Sequence, residues 1–210
     1  MNYNIITSSY FDVAAKRLAK KYPSFKDDLR IFRDELLENP LQGDELSLAS
    51  QDKYDEAIKY YEEYLATYST PTATDYAGLP QLYFFKSNNE TGDAQKASLK
   101  KADELYAQLG EKYADAAEYA TFWRARVNNA MDDEQKNALA KPYYEKLIEL
   151  YSTRTELNNS DKSRLKESYL YLISYYARVA NDMAKAKECA VKLLEVDPEN
   201  AVAKQVMEIK

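Results

Sequence analysis

The sequence predicts a mainly α chain: a tandem array of helix pairs, preceded by a short α/β fragment. Three observations carry the prediction. Turn-formers are scarce, with 4 Gly and 6 Pro in 210 residues, so helices joined by short loops fit better than many strands. From about residue 52 to the end, apolar residues recur at helical spacing. A related helix pattern also returns about every 40–47 residues, aligned on Ala57, Ala97, Leu139 and Ala186, which marks a repeat.

The first 46 residues read differently from the rest. Tyr3-Asn4-Ile5-Ile6-Thr7 is a short β-type run. Ser8 and Ser9 can cap a helix with Phe11, Ala14, Ala15, Leu18 and Ala19 on one face. Tyr22-Pro23-Ser24 breaks it, and Ser24 with Asp27 makes a variant capping box for a second helix. That helix carries Phe25, Leu29, Phe32, Leu36 and Leu37 and stops at Asn39-Pro40. The order of strand, basic helix (Lys16-Arg17-Leu18-Ala19-Lys20-Lys21), second helix and Asn39-Pro40-Leu41-Gln42-Gly43 exit resembles the N-terminal half of a RelE/ParE-type toxin. In that family a sheet follows, and its later strands carry the residues that cut messenger RNA. Here residue 47 onward reads as helices, so the fragment is truncated and no catalytic residue carries over. A lone strand at 3–7 is marginal by itself. The helix at 24–39 is expected to pack beside 52–66, in place of a missing first helix.

The helices of 47–210 follow in order. One spans 52–66 with Ala57, Tyr60, Tyr61, Tyr64 and Leu65 on one face. A partner covers Pro80–Ser87, with a start as early as Asp75. Gly92-Asp93-Ala94 opens the next, through Ala102, Leu105 and Leu109. Asp115–Asn129 is followed by a helix opened at Asp132-Asp133-Glu134-Gln135, running through Leu139, Tyr143, Tyr144, Leu147 and Leu150. Lys162–Val179 comes next. Asp182 then opens a helix in which Ala184, Ala186 and Ala190 let two helices approach closely, with Leu193 and Leu194 behind them and Pro198 at the exit. A short helix, Ala201–Glu208, ends the array.

Asp182–Asn200, Glu118–Arg126 and Lys141–Tyr151 resemble units of the tetratricopeptide repeat (TPR). The resemblance covers about three quarters of the chain. It implies a right-handed α-α superhelix and a binding scaffold without chemistry of its own. The first unit departs from the pattern, since only its second helix is present. Two domains follow: a toxin-like fragment at 1–46 and a TPR-like array at 47–210.

Composition narrows the chemistry. His is absent, which removes the commonest general base and metal ligand. Cys189 is alone, so neither a disulfide nor a cysteine-based zinc site forms within one chain. Its neighbours Ala186 and Leu193 make it a small core hydrophobe. No cofactor and no metal site is expected, because the glycines are isolated and Asp132-Asp133-Glu134 lacks calcium-loop spacing. A net charge of −6 argues against nucleic-acid binding by the whole chain. Lys16, Arg17, Lys20 and Lys21 read as a solvated helix face. No secretory signal or membrane span is visible, so the default compartment is the cytoplasm.

The expected function is therefore non-catalytic: capture of a partner peptide or helix in the concave groove of the repeats. The resemblance puts the first helix of each pair on that groove. Anchored on Pro198, it assigns Tyr119, Phe122, Arg126 and Asn129 in one unit, and Ser168, Tyr171, Tyr175 and Arg178 in the next. Tyr and Arg dominate interface energetics, and Arg126 and Arg178 would meet carboxylates. Two alternatives stay open: a remnant of an mRNA-cleaving toxin that retains antitoxin binding, and a composite chain without joint function.

Overall fold

The computed structural model describes residues 51–67 and 70–209, together with Lys16 and Lys20, which are helical and exposed. The strand expected at 3–7, the helix at 24–39 and the rest of the basic run lie outside the described residues. The chain divides into two units, Met1–Asp52 and Lys53–Lys210.

Among the described residues the architecture is all helical. The α-helices are α1 (Gln51–Thr67), α2 (Ala73–Ser87), α3 (Gly92–Lys112), α4 (Ala117–Met131), α5 (Lys141–Ser152), α6 (Asn159–Arg178), α7 (Met183–Val196) and α8 (Ala201–Glu208). From α2 onward each packs on the next in the chain. The even-numbered helices begin at residues 73, 117, 159 and 201, and the odd-numbered ones at 51, 92, 141 and 183. The even series is spaced by 44, 42 and 42 residues and the odd series by 41, 49 and 42.

Side-chain caps set several of the starts. Thr72 and Asp75 form a capping box at α2, as Asn158 and Asp161 do at α6. Each box satisfies two backbone donors that the first turn leaves orphaned. Asp182 caps α7 through the Lys185 amide, and Asn200 caps α8 through that of Ala203.

The interior is three clusters strung along the array. Leu99, Ala102, Tyr106 and Leu109 of α3 meet Ala120 and Val127 of α4. Phe122 and Ala125 of α4 meet Tyr144, Leu147 and Tyr151 of α5 and Leu172 of α6. Ile173 of α6 meets Ala186, Ala190 and Leu193 of α7 and Ala203 and Val206 of α8. Burying one such leucine stabilises by about 1.5–3 kcal/mol. Ala186 and Ala190 are fully buried, as close helix approach requires, whereas Ala184 is exposed and plays no part in that contact.

Three helix starts differ from the sequence reading. Helix α2 begins at Ala73, so Pro80 lies inside it. The Thr72–Asp75 box fixes the start upstream and outweighs the proline signal. Helix α6 begins at Asn159 rather than Lys162, again because of its box. The largest difference is at Asp132, which ends α4 instead of opening α5. Its buried carboxylate accepts from the Asn137 amide at 2.9 Å, the Asn137 side-chain amide at 3.0 Å and the Leu139 amide at 3.0 Å. These bonds fold the chain into a loop in which Glu134, Gln135 and Ala138 take φ of 56°, 62° and 54°. Three non-glycine residues in the left-handed region cannot continue a helix. Helix α5 waits until Lys141, with Pro142 in its first turn.

Candidate functional site: the face of α2, α4 and α6

Side chains bridge α2, α4 and α6 directly, although other helices intervene in sequence. The Gln81 amide of α2 donates to the Tyr119 hydroxyl of α4 at 2.8 Å. Phe84 and Phe85 of α2 set their rings edge-on to Trp123 of α4, with centroids 5.5 and 6.4 Å away. Arg126 of α4 donates through Nε and Nη2 to Glu167 of α6, at 2.9 and 2.6 Å. Arg164 of α6 donates to Glu118 of α4 at 2.6 Å. The three helices therefore share one face, lined by aromatic rings and arginines.

Trp123 is the hub of that face. Its ring stacks on Tyr106 at 5.8 Å with an interplanar angle of 8°, and it also touches Tyr119 and Phe122. Such ring pairs contribute about 0.5–1.5 kcal/mol beyond area burial. The Arg126 guanidinium lies 4.5 Å from the Phe122 centroid and 5.3 Å from that of Trp123. Arg164 sits 5.0 Å from Phe122. Both cations thus lie on rings as well as on carboxylates.

The carboxylates are held from several sides. Glu167 also accepts from the Tyr144 hydroxyl at 3.0 Å. Glu118 accepts from Arg164, Arg154 and the Tyr151 hydroxyl. Arg154 reaches Asp161 as well, so it ties the α5–α6 loop to α4 and α6. The Glu167 contact holds the Arg126 guanidinium above its ordinary pKa. Burial pushes the Tyr151 and Tyr171 phenols up to about 12.

The eight residues assigned from sequence divide into three groups. Tyr119 and Arg126 are half-buried on the shared face, and Tyr175 is half-buried against Tyr176. Asn129 and Arg178 are exposed. Among the described residues Arg178 has no ion-pair partner. Phe122, Ser168 and Tyr171 are buried and have no surface to offer a partner. Phe122 joins the α4–α6 core, Ser168 donates to the Arg164 carbonyl at 2.7 Å, and Tyr171 packs on Tyr144. Residues four apart on one helix share a face, but α6 is flanked by α5 and α7, so its buried arc is wide.

The sequence reading missed Phe85, Trp123, Gln81 and Glu167. Phe85 is 42% exposed. One signal could have found it. Adjacent Phe84 and Phe85 point about 100° apart on a helix, so one of the two must leave the buried face.

A second surface feature is a cleft of about 1020 Å³ between α5 and α7, floored by α6. Ile148, Leu157, Leu172 and Val191 give it apolar lining. Its rim mixes Glu145, Glu188 and Glu195 with Arg154, Lys185 and Lys192. Cys189 lines it half-buried, and burial pushes its thiol up to about 11, the environment of an unreactive cysteine.

Among the described residues no group of three or more Cys, Asp or Glu side chains is placed to hold a metal ion, and no helix is long and apolar enough to cross a membrane. Comparison with protein-family models, curated proteins and solved structures finds no match.

Proposed function

We propose that the helical unit is a non-catalytic interaction scaffold, a TPR-like right-handed array that takes a partner peptide or helix along the face of α2, α4 and α6. The direct bridging of these three helices by Gln81–Tyr119, Phe85–Trp123 and Arg126–Glu167 carries the reading. A surface fixed by such struts is pre-organised, so a partner pays little to order it. Its composition is that of interface hot spots, with Trp, Tyr and Arg clustered. Tyr175 and Arg178 extend the same chemistry to the C-terminal end of α6.

Selection of a displayed library of random 12-residue peptides against the full chain tests the proposal. Selected peptides should lose binding to the Phe85→Ala and Tyr175→Ala variants. They should keep it for Val191→Lys, which alters the cleft on the other side of α6. Peptides that ignore the first two variants and respond to the third would move the binding surface to the cleft.

A further inference from the structure

We infer that Phe85, Trp123 and Arg126 form a subsite for a partner segment that presents an apolar side chain beside a carboxylate. The inference rests on the proposed scaffold role and names the partner chemistry of its central part. Phe85 and Arg126 both contact the Trp123 ring, at 6.4 and 5.3 Å. An exposed ring and a cation therefore lie within one side chain of each other, joined by a third flat surface.

The guanidinium is only partly used. Its Nε and Nη2 face Glu167, while among the described residues no acceptor meets Nη1. The Arg126 side chain keeps 40% of its surface exposed. Glu167 divides its acceptor capacity between Arg126 and the Tyr144 hydroxyl, and its charge makes a second carboxylate on Arg126 weaker than on a lone arginine. The planar guanidinium can serve carboxylates on two edges at once. Lying over Phe122 and Trp123 fixes its plane, so the free edge is held in place before a partner arrives. Phe85 supplies the apolar half of the subsite. At 42% exposure it is among the more exposed large apolar side chains of the unit, and burying it would contribute to docking.

Trp123 is the only tryptophan in the chain, so its fluorescence reports binding directly. The probes are two blocked 12-residue alanine-glutamine peptides, one with Phe and Glu four residues apart and the other with Gln replacing that Glu. The acidic peptide should bind about two- to fivefold more tightly, the size of an ion pair near the surface. The preference should shrink with added salt. Arg126→Gln should abolish it and Arg126→Lys should keep part of it. Phe85→Ala should weaken both peptides alike. Saturable binding with equal affinities overturns the acidic specificity and leaves the scaffold reading standing. No saturable signal from either peptide overturns the subsite, and the library selection then separately decides the fate of the scaffold reading.

Discussion

Replacing Asp132 should cost more than any other single polar substitution in the α4–α5 connection. Its carboxylate accepts from two backbone amides, of Asn137 and Leu139, and from the Asn137 side chain. Hydrogen bonds to a charged acceptor contribute about 1.5–3 kcal/mol each in favourable settings. Asn137 and Leu139 are exposed, so water recovers part of that once the acceptor is gone. The loop also holds Glu134, Gln135 and Ala138 at positive φ, at about 1–2 kcal/mol each, and only its anchors keep it there. Asp132→Ala should therefore destabilise the unit by about 2–4 kcal/mol, or about 5–10 °C in Tm at this size. Asp132→Asn should cost about half as much, because one oxygen remains. Hydrogen exchange should show the Asn137 and Leu139 amides losing protection first. A Tm shift below about 1 °C for Asp132→Ala, with those amides still protected, would refute the anchoring role.

Three further outcomes follow from the same structure. Ala138→Gly should stabilise by about 0.5–1 kcal/mol in chemical denaturation, since Ala138 sits at φ 54° where glycine is unstrained; a destabilisation would show that the loop is not strained. Gly78→Ala should destabilise by about 1–3 kcal/mol, because its Cβ would lie 2.1 Å from the Tyr61 hydroxyl and would break that hydroxyl's bond to the Asp75 carbonyl; wild-type Tm would contradict the packing. Stability should fall as pH rises from about 10 toward 12, because burial keeps Tyr151 and Tyr171 neutral in the fold while the unfolded phenols ionise near 10. The Tyr151→Phe, Tyr171→Phe double variant should fall less steeply, and a slope equal to wild type would contradict the assignment. With no His in the sequence, no imidazole contributes to the pH dependence near neutrality.

Much of the helix content was legible in the sequence, and the reasons are local. Asp182 opens α7 as its spacing implied, and Ala186, Ala190 and Leu193 are buried on the expected face. The same local signals misled where tertiary contacts compete. Asp132-Asp133-Glu134 has the look of a helix start, yet a carboxylate that reaches five to seven residues ahead makes a loop instead. Pro80 suggested a boundary, but the Thr72–Asp75 box had already committed the chain to a helix. The candidate site was legible only in part. Arg126 and Tyr119 lie on the shared face, while Phe122, Ser168 and Tyr171 turn inward. Helical spacing fixes which residues share a side. It does not fix how wide an arc the neighbouring helices cover, and that width decides exposure at α4 and α6.

The most direct test is site-specific photocrosslinking with a peptide selected against the full chain. Phe85 and Val191 would each be replaced, in separate variants, by p-benzoylphenylalanine. Crosslinking from position 85 and none from position 191 is the result expected if the face of α2, α4 and α6 binds the partner. Crosslinking from position 191 alone would contradict that account and place the partner in the cleft between α5 and α7.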